Sequence, residues 1–145
     1  MNSFVVDASV AAAWLLPDEP LIEKGAFVRD SFLRGDIQIF VPDLLFSEIG
    51  NVLWKASRRG RLTTQWARES ATSLLQMELP TAPSKPLLLD ALALALATGR
   101  TAYDSIYVAL AMDMNLPLLT ADVRLVNAMG ENSRLVWLGD FSLAQ

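Results

Sequence analysis

The sequence predicts an α/β fold: a three-layer α/β/α sandwich around a central, mostly parallel sheet of four to five short strands. Two observations lead there. Short apolar runs alternate with stretches of helical spacing along the whole chain. Those runs are continuously apolar rather than alternating, as in strands covered by helices on both faces. With no linker, low-complexity segment or internal repeat, residues 1–145 are assigned to one domain.

The elements follow in order. Phe4-Val5-Val6 is a short β-branched run ending at Asp7, and Ala8 to Leu16 reads as a helix stopped by Pro17. Leu21 to Leu33 has helical spacing and ends at Gly35. Ile37 to Val41 is a second strand closed by Pro42, after which Asp43 is expected to cap a helix from Leu44 to about Arg59. Thr63 or Thr64 starts another, to about Gln76. Leu79 to Ala82 is a brief third strand between prolines, and Leu87 to Thr98 a helix closed by Gly99. Ala102 to Met114 is helical, Leu116 to Thr120 a fourth strand, Val123 to Met129 a short helix and Leu135 to Leu138 a fifth strand.

Composition narrows the chemistry. Cysteine and histidine are both absent, which excludes disulfides, thiolate or imidazole metal ligands and Ser-His-Asp triads. Catalysis would have to use carboxylates, hydroxyls, Lys, Arg or a bound ion. A net charge of −4 and a pI near 4.7 argue against a broad nucleic-acid-coating surface. A cation held among carboxylates reverses that sign locally. The start of the chain has no basic, apolar leader, and the most apolar run is interrupted by Asp90, so a cytoplasmic protein without a membrane span is expected.

Parallel sheets gather ligands beyond the carboxyl ends of their strands, and the acids fall there. Asp7 follows the first strand, where it serves equally as a helix cap. Glu48 shares a helix face with Leu44, Leu45 and Val52, an environment where an unpaired carboxylate is costly unless a cation or an arginine meets it. Asp104 lies in the first turn of its helix, where the dipole alone favours an anion. Asp122 follows Thr120-Ala121 and is placed to cap the next helix. Together these carboxylates repel one another unless divalent cations neutralise them. Oxygen-only ligands favour Mg²⁺ or Mn²⁺, and such ions support in-line attack on a phosphodiester. Other acid-bearing α/β sites match poorly: a receiver domain wants paired acids after the first strand, a dehalogenase-type phosphatase a second Asp where Ser9 stands, and no Gly-rich phosphate loop is present.

The ordered segments Asp7-Ala8-Ser9, Pro42 to Glu48 with Asn51 and Leu53-Trp54-Lys55, Ala102-Tyr103-Asp104 with Tyr107, and Leu118 to Asp122 resemble the successive motifs of PIN domains. They look most like the VapC toxins of prokaryotic toxin–antitoxin pairs, over nearly the whole chain. The resemblance implies a PIN-like fold and metal-dependent endonucleolytic cleavage of RNA, with Mg²⁺ (or Mn²⁺) held by Asp7, Glu48, Asp104 and Asp122. It also implies homodimerisation and inhibition by a small antitoxin protein. By position Thr120 matches the supporting hydroxyl, and Ser9 and Asn51 match supporting polar positions.

Other features read as structural. Lys55, Arg58, Arg59 and Arg61 form the densest basic run, favoured as a solvated helix end over an RNA phosphate contact. Trp14, Trp54 and Trp66 sit at apolar helical positions, expected in core or interface rather than as base-stacking platforms. Arg100 is close enough in sequence to Asp104 to approach the site, though a lone arginine is usually at the surface. Two other functions compete: a non-catalytic binding or regulatory module of the same fold, without metal-dependent thermal shift, and a DNA-directed nuclease, preferring flapped or duplex DNA. A neighbouring short gene for a DNA-binding protein would favour the toxin.

Overall fold

A computed structural model describes residues 2–131 and 133–143. Five strands, β1 (Asn2–Val6), β2 (Ile37–Pro42), β3 (Thr81–Ala82), β4 (Leu118–Thr120) and β5 (Leu135–Trp137), alternate with helices α1 (Ala8–Leu15), α2 (Ile22–Leu33), α3 (Leu44–Arg58), α4 (Thr64–Gln76), α5 (Leu88–Thr98), α6 (Ala102–Met114) and α7 (Val123–Met129). All strand pairs are parallel, in the order β3-β2-β1-β4-β5. The continuous apolar runs are explained by burial on both faces: Val5, Val6, Ile39, Val41, Leu118 and Leu119 are all 0% exposed. On one side α6 packs over β1, β2 and β4 with α5 behind it; α1 and α2 pack together against the sheet on the other.

The chain grows outward from β1 in one direction through β2 and β3, then returns to β1's other edge with β4. The order therefore reverses between β1 and β4, and the crevice beyond their carboxyl ends is where such a fold forms a site. Helices α3 and α7 follow their strands and start at that edge. Helix α6 precedes β4 and runs against the strands, so it too begins there. At Gly25 a Cβ would lie 2.6 Å from the backbone carbon of Ala13, so the α1–α2 packing requires glycine.

Most boundaries agree with the sequence within two residues. The exceptions have local causes. The third strand shrinks to Thr81–Ala82, and 3₁₀ turns, Lys85–Leu87 and Leu138–Asp140, replace the start of one helix and the end of the last strand. Asp43 does not cap α3. Its backbone is already helical (φ −59°, ψ −24°), and its carboxylate accepts instead from the amide of Ser84 at 3.1 Å and from the Ser84 hydroxyl, tying β2 to the turn after β3.

Candidate active site

Asp7 leaves β1 in extended geometry (φ −96°, ψ 177°), which turns its carboxylate onto the first turn of α1. Oδ1 accepts from the amides of Ser9 (3.1 Å) and Val10 (3.2 Å) and from the Ser9 hydroxyl (2.5 Å). Oδ2 accepts from the Thr120 hydroxyl at 2.6 Å. The cap and the site are thus the same residue. Desolvation pushes its pKa up from 3.8 to about 6; the bonds from Ser9, Thr120 and Val10 oppose this, and the charge of Asp104 adds to it.

Thr120, fully buried at the end of β4, does two jobs. Its hydroxyl donates to Asp7 and accepts from the amide of Asp122 at 3.1 Å. Ser9 makes a parallel link, its Oγ accepting from the amide of Ala121 at 2.8 Å. The two strand ends are therefore stitched together by hydroxyls.

Glu48 projects from α3 and is partly buried. The buried Tyr107 of α6 donates its hydroxyl to Glu48 Oε1 at 2.5 Å. Desolvation raises the Glu48 pKa, the Tyr107 bond lowers it, and the charge of Asp104 raises it again. Burial and the same carboxylate push the Tyr107 phenol far up, so it remains a donor. Asp104 opens α6, its amide bonded to the Thr101 cap at 3.1 Å. Asp122 caps α7, accepting from the amide of Arg124 at 2.9 Å.

Asp104 and Asp122 share a partner, the arginine whose place in the sequence allows it to approach the site though a lone arginine is usually at the surface. Arg100 Nη2 donates to Asp104 Oδ2 at 3.1 Å and to Asp122 Oδ2 at 2.8 Å. Its spacing of four residues from Asp104 was the one available signal. The structure thus brings the carboxylates to one edge, with Thr120 and Ser9 among them. Asn51 is exposed and lines, with Glu48, Ser47, Lys55 and Tyr103, a shallow cavity of about 500 Å³. Trp14 is core, whereas Trp54 and Trp66 are 53% and 47% exposed. Arg58 lies over the Trp54 ring at 5.0 Å, and Arg61 pairs with Asp18 at 2.6 Å, a solvated surface contact.

Among the described residues no three acidic side chains stand close enough to hold one ion in these rotamers. The donors nevertheless suit a hard divalent cation. All are carboxylate oxygens, and the field of Asp104 reaches both Asp7 and Glu48, which have only neutral hydrogen-bond partners.

The edge at the β1–β4 switch point, lined by carboxylates from three helices and a strand end, defines an α/β protein with an acidic site. The family model for the PIN domain matches residues 4–130. Ribonuclease VapC3 of Pyrobaculum aerophilum is 37% identical over 123 residues, covering 83% of this chain and 90% of the relative. Ribonuclease VapC1 of Mycobacterium tuberculosis is 33% identical over 132 residues, covering 90% and 93%. A crystal structure of a Pyrobaculum aerophilum protein superposes with a TM-score of 0.66 at 27% identity, covering 88% of this chain and 79% of that one. The chain belongs to the PIN-domain family, alongside these VapC relatives.

Proposed function

We propose that the protein is a Mg²⁺- or Mn²⁺-dependent endoribonuclease and the toxin of a toxin–antitoxin pair. The observation that carries this is the convergence of Asp7, Glu48, Asp104 and Asp122 on one edge, where burial first, and the charge of Asp104 after it, raise the proton affinity of the two carboxylates that lack a cationic partner. The ribonuclease names of VapC3 and VapC1 support RNA as the substrate.

These four residues would hold the ion, which supplies positive charge and Lewis acidity for phosphodiester hydrolysis when bound. Thr120 and Ser9 fix the orientation of Asp7 and the start of α7. Tyr107 fixes Glu48 as a donor that stays protonated. With no histidine in the chain, proton transfers fall to carboxylates and water.

The motif resemblance supports an antitoxin partner, a homodimer and a cytoplasmic setting. An apolar face on α5 and α6, with Leu89 and Leu96 each 79% exposed and Met112 65%, gives a dimer or a partner something to cover. Among the described residues no helix is long and apolar enough to cross a membrane.

Cleavage of single-stranded RNA with Mg²⁺ or Mn²⁺, abolished by EDTA and by Asp7→Asn, is the expected result. Undiminished cleavage by a clean Asp7→Asn preparation overturns the assigned site. Preference for flapped or duplex DNA overturns the substrate.

A further inference from the structure

Two cations reach the acidic edge among the described residues: Arg124, 80% exposed, with its Nε 3.5 Å from Asp122 Oδ1, and Arg100, more deeply set, whose seating is unusual for an arginine held for stability. Strong arginine–carboxylate pairs use two guanidinium nitrogens in a fork. Here a single nitrogen, Nη2, spends its two hydrogens on two different carboxylates, Asp104 and Asp122. Its Nε is buried and finds no hydrogen-bond partner among the described residues, an unrecovered desolvation cost. The chain reaches it through Gly99, the left-handed end of α5 (φ +74°), which delivers residue 100 directly to the start of α6. Both carboxylates stand at helix N-termini, α6 and α7, where backbone dipoles favour anions and disfavour a cation. Among the described residues only the two acids accept hydrogen bonds from the guanidinium. The side chains are not sealed off either: Arg100 is 24% exposed, Asp104 33% and Asp122 26%.

We propose that Arg100 is an exchangeable internal counter-cation: it clamps Asp104 to Asp122 and gives up their Oδ2 atoms when a divalent cation binds the edge. This rests on the metal reading above and adds a competitor within the chain itself. Arg100 then sets how much metal the site demands and keeps two like charges together when metal is scarce. It acts on Asp104 and Asp122 and is a positioning residue.

The test is Mn²⁺ binding to the full chain at low ionic strength, followed by the loss of the free-ion EPR signal, for wild type, Arg100→Gln and Arg100→Lys. Removing the competing charge is expected to tighten Mn²⁺ binding by about tenfold in Arg100→Gln. Arg100→Lys, which keeps the charge, stays nearer wild type. In EDTA, Arg100→Gln melts lower than wild type, and Mn²⁺ restores more of its stability than it adds to wild type. Equal or weaker Mn²⁺ binding by Arg100→Gln overturns the exchange. Absence of Mn²⁺ binding to wild type and variants alike overturns the metal reading itself, a different result from equal binding by both. A check without substitution follows the arginine Nε–H resonances of wild type, with the signal missing from Arg100→Lys as the assignment. Addition of Mg²⁺ moves the Arg100 signal if the guanidinium is displaced, and an unmoved signal at saturating Mg²⁺ overturns the proposal.

Discussion

Asp7 and the Asp104–Asp122 pair line the same sheet edge, yet their partners differ in kind. Asp7 is 7% exposed, and every bond it accepts comes from a neutral group: two amides and the hydroxyls of Ser9 and Thr120. Asp104 and Asp122 are more open and have a guanidinium between them. Neutral donors orient a carboxylate without cancelling its charge, so the Asp7 half keeps its appetite for a proton or a cation. A cationic partner satisfies the other half in advance. The site is thus strained electrostatically on one side and pre-neutralised on the other.

The largest effect should come from deleting charge on the strained side. Asp7→Asn keeps Oδ1 as the acceptor of the Ser9 and Val10 amides, while its Nδ2 donates to Thr120, whose hydroxyl is free to rotate. The fold is retained. Turnover of RNA with Mn²⁺ is expected to fall by at least about 10²-fold, as when one element of transition-state stabilisation is removed. In EDTA near neutral pH the same variant should melt higher than wild type, because the buried charge is gone. A loss of activity accompanied by a lower melting temperature would show Asp7 to be structural first.

Next comes the hydroxyl that joins the halves. Thr120→Val preserves shape but removes the donor to the buried Asp7 and leaves the partly buried amide of Asp122 without its side-chain acceptor. Leaving a buried polar group such as the Asp7 carboxylate short of a partner costs about 1–3 kcal/mol. Denaturant melts should show that loss, with RNA cleavage reduced because both Asp7 and Asp122 lose their fixed orientation. Unchanged stability would mean that the two halves are joined by Ser9 alone.

The pH dependence of stability distinguishes the halves without a substrate. The carboxyl of Asp7 is held at about 6 in the folded chain against an ordinary 3.8, so the folded state binds this proton more tightly than the unfolded state. Its contribution is complete below about pH 4 and is lost as pH rises through 6. In EDTA, stability should therefore fall on the order of 3 kcal/mol across that window. Asp7→Asn should remove that part of the slope. A wild-type slope that the substitution leaves intact would assign it to another group.

What the sequence disclosed, and what it withheld, follows the same division. The strand ends and helix starts that carry Asp7, Glu48, Asp104 and Asp122 were legible because apolar runs and caps are local signals. Thr120 and Ser9 were legible from their positions beside those acids. The partners were less so. Tyr107 meets Glu48 across 59 residues and Arg100 meets Asp122 across 22, contacts made by the topology that brings these segments to one sheet edge rather than by any spacing. Asp43 misled for the opposite reason: its place before a helix fits a cap, but a tertiary partner, Ser84, outcompeted the local bond. Trp54 likewise occupies an apolar position on its helix yet stands exposed under Arg58, since α3 buries only the face bearing Leu45, Ile49, Leu53 and Ala56.

The smallest effect tests whether Glu48 belongs to the strained half. Like Asp7 it has a neutral donor and feels Asp104, but it is only partly buried, so water can replace a lost partner. Tyr107→Phe removes the phenol and nothing else. The expected cost is about 1 kcal/mol, or roughly 2–4 °C in melting temperature with EDTA present. Cleavage should fall by less than about tenfold, because Glu48 stays at the edge with its charge but loses a fixed rotamer. The comparison with Thr120→Val is the informative one. If burial of the carboxylate each hydroxyl serves sets the difference between them, the threonine variant loses more stability and more activity. An equal or larger loss in Tyr107→Phe would place Glu48, rather than Asp7, at the electrostatic centre of the site.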